Sequence, residues 1–117
     1  MRRWLAAAIV TLAWLPPLAL AQARPDFDLK DPAIIEAGRV LYNRRCAGRC
    51  HGIDGQDGFD GPILAGRAHL EPGYVFATLI VGRPGSAMPG WVGRIPDDEL
   101  WKIIAFVSSL GDAARAR

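Results

Sequence analysis

The chain shows no strand-like alternation, no internal repeat and almost no excess charge. Without period-two patterning, the apolar segments read as helices joined by loops. The formal charge is only +2 over 117 residues, and both surplus cations, Arg2 and Arg3, lie in a leader expected to be removed. Nucleic acid is thereby excluded as a partner, because phosphate binding needs clustered excess cation. Residues that carry redox or metal chemistry are equally scarce: two cysteines, two histidines and two methionines.

Compartment is read from the start of the chain. Met1-Arg2-Arg3 is a short basic opening, Leu5 to Leu20 is almost unbroken apolar sequence, and Ala19-Leu20-Ala21-Gln22-Ala23 places small residues at signal-peptidase spacing. This pattern predicts a signal peptide over residues 1–23, cleaved after Ala23, and export to the periplasm. A retained membrane anchor is the competing reading of so long an apolar run. Pro16 and Pro17, followed by the small-residue site, favour cleavage and no stable membrane insertion afterwards. Residues 24–117 then form one domain too small for a generous core, of the size that gains most from a cofactor, metal or disulfide. Both cysteines fall in it, and in an oxidising compartment a disulfide is their default.

Along this domain, Asp31-Pro32 reads as a helix start. Ile34, Gly38, Leu41 and Tyr42 then recur at helical spacing to about Arg45, giving a helix that runs directly into the cysteines. From Gly52 to Pro72, glycine and proline are too dense for a long regular element. A loop of this length needs a surface to pack on, and a large flat cofactor would supply one. Asp54, Asp57 and Asp60 within it do not have calcium-loop spacing and read as turn aspartates. Tyr74 to Val81 is a short helix ending near Gly82. A second breaker-rich loop, Gly82 to Gly93, contains Met88. Acidic Asp97, Asp98 and Glu99 open a last helix, Leu100 to Leu110, and Gly111 to Arg117 reads as a frayed polar tail.

Chemistry concentrates in Cys46-Ala47-Gly48-Arg49-Cys50-His51. Two thiols that can add to the two vinyl groups of a haem, with a histidine directly after the second so that its imidazole reaches the iron, define a covalent haem site. Such sites usually have two residues between the cysteines, and this one has three. Met88, in an apolar Gly/Pro loop, offers a soft thioether as the opposite axial ligand; a buried core methionine is the plainer reading.

With these residues the sequence resembles the class I c-type cytochromes over nearly all of Asp31 to Leu110. Gly38, Tyr42, Cys46, Cys50, His51 and Gly52 fall on the family's first-helix and attachment pattern. Pro62 and Leu64 match its Gly-Pro-x-Leu step, Gly82 to Pro89 its methionine loop, and Leu100 to Leu110 with Phe106 its last helix. The resemblance implies a small all-α domain whose N- and C-terminal helices cross at Gly38, against Tyr42 and Phe106, with one covalently attached haem c enclosed by loops. It also implies that the Pro62 carbonyl accepts a hydrogen bond from His51, fixing the imidazole tautomer.

The extra residue between the cysteines leaves three arrangements. Both thioethers form with the loop bulged, for which Gly48 supplies freedom; only the Cys50 thioether forms; or the cysteines pair. The first is the expectation. Arg83 could reach a haem propionate, and Tyr74, Trp91 and Trp101 could line the pocket or its rim, with solvent exposure or ordinary packing as the alternatives. His69 reads as a loop histidine.

With both axial positions filled, the chemistry left is one-electron exchange, not catalysis. The resemblance implies a periplasmic dehydrogenase as donor and an oxidase or cytochrome complex as acceptor, meeting the haem edge through a small interface. Arg39, Arg44, Arg45 and Arg49 could form a positive rim there. The alternative is a dedicated cytochrome subunit, or obligate electron acceptor, of one periplasmic quinoprotein or molybdenum dehydrogenase. An enzyme or gas-binding haem protein would need Met88 not to ligate, and a haem-free disulfide domain would need attachment to fail.

Overall fold

The computed structural model describes residues 24–117, and the expected leader over 1–23 with its cleavage site lies outside them. Asp31 opens the first helix as anticipated, its carboxylate accepting from the Ala33 N–H at 2.9 Å with Pro32 in the first turn. This helix, α1, spans Pro32–Tyr42. The chain does not leave it but widens into a π-type turn over Asn43–His51, interrupted at Gly48 (φ 6, ψ −116). A short 3₁₀ turn, Ile53–Gly55, follows. After the glycine-rich loop, α2 spans Pro72–Val81 and ends at Gly82. The last helix, α3, spans Asp97–Arg115, with Asp97, Asp98 and Glu99 in its first turn. No strand occurs among the described residues.

Helix α1 crosses α3 at Gly38, and only glycine permits the approach. A Cβ at this position would lie 1.9 Å from the Lys102 carbonyl oxygen and 3.1 Å from the Phe106 Cβ. One turn on, the Tyr42 and Phe106 rings pack at 5.0 Å, tilted by 54°. The core then runs along α3 through Leu100, Ile103, Ile104 and Val107, with Tyr42 from α1 and Val75, Phe76 and Leu79 from α2. Trp101 belongs to this core, stacked on Phe76 at 4.8 Å, and takes no part in the cavity described below.

The polar tail expected after Leu110 is instead helical to Arg115. Gly111 is buried against the loop before α2, where a Cβ would meet the Leu70 carbonyl oxygen at 2.8 Å, and the Arg115 guanidinium donates to the Ala68 carbonyl. The residues that looked polar and breaker-like thus fasten the end of α3 to the preceding loop.

Gly38→Ala should force α1 and α3 apart and lower stability by about 3 kcal/mol, the upper end of overpacking costs, read from urea unfolding of the variant against the wild type.

Candidate functional site

A cavity of about 1110 Å³, counting the solvent at its mouth, opens between the π-type turn, α2, the 82–93 loop and α3. Its walls include Leu64, Leu70, Val75, Leu79, Ile103 and Val107. Cys46, Cys50, His51, Pro62, Tyr74, Arg83, Met88 and Trp91 all line it, so the eight residues singled out from the sequence meet in one place.

His51 is 9% exposed, and its Nδ1 lies 2.7 Å from the Pro62 carbonyl oxygen. A carbonyl only accepts, so Nδ1 carries the proton and Nε2 keeps its lone pair for a metal. The ring lies close against Gly61, where a Cβ would come within 2.7 Å of the imidazole Cε1. In the sequence Gly61 is a loop breaker and the glycine of the Gly-Pro-x-Leu step; its contact with the imidazole is set by the fold.

Met88 is half-buried at the end of a closed loop. The Arg83 N–H donates to the Met88 carbonyl at 3.1 Å, and the Ser86 hydroxyl accepts from the Met88 N–H at 3.2 Å while donating to the Arg83 carbonyl at 2.6 Å. The loop closes at Gly82 (φ 69), whose α-hydrogen faces Pro89 and Gly90 where a Cβ would stand 2.5 Å from the Pro89 carbonyl carbon. Trp91 is tied back to α2 by its N–H to the Leu79 carbonyl at 2.7 Å.

Burial, with the nearby Cys50 adding to it and Arg45 opposing it, pushes the Cys46 thiol up to about 12, so it stands in the cavity wall as a neutral S–H. Cys50 is exposed, and the two sulfurs are not joined. Tyr42 also lines the cavity, while its hydroxyl is buried beside Gly55 without a hydrogen-bond partner among the described residues.

The cavity rim is polar. Arg83 donates to the Tyr74 hydroxyl, Tyr74 meets His69 edge-on at 5.2 Å, and Arg67 and Asp60 also line the cavity. His69, read from sequence as an ordinary loop residue, therefore stands at the rim. The expected arginine rim is altered. Arg39 is engaged by Glu36 at 2.8 Å and Asp54 at 3.2 Å, and Arg45 by Glu99 at 3.3 Å. Arg44 and Arg49 are exposed and have no ion-pair partner among the described residues.

Asp54 is more than a solvated turn residue. It takes φ 53, accepts from the Asn43 amide at 2.7 Å and from Arg39 at 3.2 Å, and its own N–H donates to the Asn43 side-chain oxygen at 2.9 Å. This knot anchors the loop behind the histidine to the end of α1.

A thiol pair, an imidazole with a free Nε2, a thioether and apolar walls in one cavity fit a planar iron porphyrin, with His51 and Met88 as the residues able to hold the iron. A family model described as cytochrome c oxidase, cbb3-type, subunit III, matches residues 33–107. Quinohemoprotein alcohol dehydrogenase of Comamonas testosteroni is 34% identical over 92 residues, covering 74% of this chain and 12% of that protein. The cbb3-type cytochrome c oxidase subunit FixPc of Rhizobium leguminosarum bv. viciae is 33% identical over 85 residues, covering 69% of this chain and 29% of that protein. The chain thus spans less than a third of either relative's length. No solved structure matches it significantly.

Two substitutions probe the way the histidine is held. Gly61→Ala should push on the imidazole and cost about 1–3 kcal/mol of stability, read by chemical denaturation. Asp54 is held below its ordinary 3.8, chiefly by the Asn43 hydrogen bond, which burial opposes and the Arg39 hydrogen bond and charge reinforce. Because the folded value is the lower one, its stabilisation is present above 3.8 and is lost as pH falls through the folded value. The stability gap between wild type and Asp54→Ala, about 0.5–1 kcal/mol at neutral pH after allowing for solvent screening, should therefore shrink on acidification below pH 3.8.

Proposed function

Since the chain belongs to the class I c-type cytochromes, we propose that it is a periplasmic one-electron carrier holding one haem c, with His51 and Met88 as axial ligands and covalent attachment through the cysteine segment. The observation that carries this reading is the convergence of Cys46, Cys50, His51 and Met88 on one cavity. When bound, the haem supplies a one-electron Fe(II)/Fe(III) couple.

Each residue of the chain has a task under this reading. Pro62 and Gly61 orient the His51 ring and keep Nε2 available to the iron. The closed 83–88 loop would present the Met88 sulfur to a bound haem iron, leaving no position for an exogenous ligand. Leu70, Val75, Leu79, Ile103 and Val107 exclude water from the porphyrin faces, and with methionine ligation this raises the reduction potential. Arg83, steadied by Tyr74, stands at the rim as a propionate partner. Trp91 forms part of the wall beside Met88.

The domain carries electrons and leaves substrate chemistry to its partners. We take the donor to be a periplasmic dehydrogenase and the acceptor an oxidase or cytochrome complex. A dedicated role as the cytochrome subunit of one dehydrogenase is the second reading. It is favoured by the likeness to a stretch that makes up only 12% of a quinohemoprotein alcohol dehydrogenase. Among the described residues no helix is long and apolar enough to cross a membrane.

The deciding experiment is an optical redox titration of the exported protein. A low-spin reduced spectrum with a sulfur-to-iron charge-transfer band in the oxidised form is expected, and a high-spin spectrum would overturn the ligation. Met88→His should keep the haem low-spin, abolish that band and lower the potential by on the order of 0.1–0.3 V, within the ~0.8 V range that axial ligands span. Of the four arginines, Arg39 and Arg45 are already paired, which leaves Arg44 and Arg49 for docking, and Arg44 is the one tested. Stopped-flow electron transfer with an acidic redox partner should slow several-fold in Arg44→Glu, with a flatter dependence on ionic strength.

A further inference from the structure

We propose that His69 is a redox-linked proton site, whose protonation raises the reduction potential and makes electron transfer respond to pH across the neutral range. This assignment rests on the reading of the chain as a haem-bearing electron carrier.

Loop side chains are commonly mobile, but the backbone around His69 is held on both sides. The Ala68 carbonyl before it accepts from Arg115, and Leu70 after it is buried against Gly111. The His69 carbonyl itself accepts from the Glu71 N–H at 2.9 Å. With its backbone fixed in this way, the imidazole meets the Tyr74 ring edge-on at 5.2 Å, the planes 80° apart. Tyr74 belongs to α2, and its hydroxyl accepts from Arg83, whose guanidinium carbon stands 6.0 Å from the centre of the same ring. One aromatic ring thus carries a permanent cation and an imidazole that can become one. His69, Tyr74, Arg83 and Met88 all line the cavity.

The other groups of the cavity wall are unsuited to switching in this range. Arginine and aspartate side chains keep their charge between pH 5 and 8 and tyrosine stays neutral, which sets aside Arg45, Arg67, Arg83, Asp60, Tyr42 and Tyr74. On the carrier reading the two thiols are taken up in attachment, and His51 is held between the Pro62 carbonyl and the iron. Outside the wall, Glu71 follows in the same loop, and Arg115, paired with Asp112, reaches the loop from α3. These too are side chains of constant charge in this range. His69 is the wall residue left to gain or lose a charge, and imidazole is the side chain that ordinarily titrates there. It is exposed, so its proton exchanges directly with water, and solvent screening keeps its influence moderate.

The sign follows from the charges. Reduction adds one electron to the site, and a cation at the rim favours that addition. The potential is therefore higher when His69 is protonated and falls as pH rises through its titration. Linkage makes the effect reciprocal, so the reduced protein binds the His69 proton more tightly by the same factor. As an electron from the donor turns Fe(III) into Fe(II), the imidazole takes up a fraction of one proton from water. It returns that fraction when the electron passes to the acceptor.

The experiment is the midpoint potential of the exported, haem-loaded protein measured from pH 5 to 8, alongside His69→Gln and His69→Lys. Proton NMR titration of the imidazole in the reduced and the oxidised protein accompanies it. The sequence holds two histidines, and with His51 at the iron the titrating resonance belongs to His69. Proton affinity should be roughly two- to five-fold higher in the reduced protein, as for unit charges separated by a partly solvated rim. At 59 mV per tenfold this is a fall in potential of about 20–40 mV across the titration. His69→Gln should be level near the alkaline limit of the wild type, and His69→Lys, charged throughout, level near the acid limit. A wild-type potential that does not change with pH, an imidazole that titrates alike in both oxidation states, or a step of undiminished size in His69→Gln would each overturn the inference. The last of these would assign the proton to the haem carboxylates. All three are read on haem-bearing protein and leave the cytochrome reading standing, whereas a chain exported without covalent haem would overturn both.

Discussion

Everything in the cavity is referred to one close contact, the approach of α1 to α3 at Gly38. There the backbone of α1 comes so near the Lys102 carbonyl that no side chain fits between them. That contact sets where α1 ends, and the segment bearing the cysteines and His51 continues from α1 without a break. The positions of Cys46, Cys50 and His51 relative to Ile103 and Val107 are thus inherited from a helix crossing that contains none of them. Interiors as densely packed as those of proteins transmit such a constraint because they cannot relax locally.

Opposite the crossing, two loops supply the rest, and each is held by backbone hydrogen bonds in place of regular structure. The 52–71 stretch is pinned at Asp54 to α1, at 59–61 to the π-type turn and at Ala68 and Leu70 to the end of α3. The Met88 loop is pinned through Arg83, Ser86 and Trp91. Long irregular segments survive in so small a chain because their polar backbone groups find partners in this way.

The helices and the four chemistry-bearing residues were legible in the sequence because each leaves a local mark: apolar spacing, a capping aspartate before proline, cysteines beside a histidine, a methionine among glycines and prolines. Other features depend on partners distant in sequence and leave no such mark. The 111–117 segment reads as a tail because its glycine and arginines are polar signals in isolation, and only Leu70 and Ala68 turn them into a fastening. Asp54 reads as a turn residue until Arg39 and Asn43 are placed beside it. His69 reaches the rim only through the course of the loop, and Trp101 goes to the core because Phe76 faces it. The bulge at Gly48 was foreseeable from the spacing, but its π-type winding and the amides that cap it were not.

The fastening of α3 to Ala68 and Leu70 bears on the order in which the molecule can assemble. The cavity wall takes Tyr42 from α1 and Val107 from α3, and the loop between them is secured by the final turns of α3. Contacts so far apart along the chain form only after a large loop has closed. An emerging polypeptide in which α3 has yet to dock therefore presents its cysteines and histidine on an open segment, without a walled pocket. Covalent capture at that stage would bring the two ends of the chain together around the captured group, making ligand acquisition part of the folding reaction.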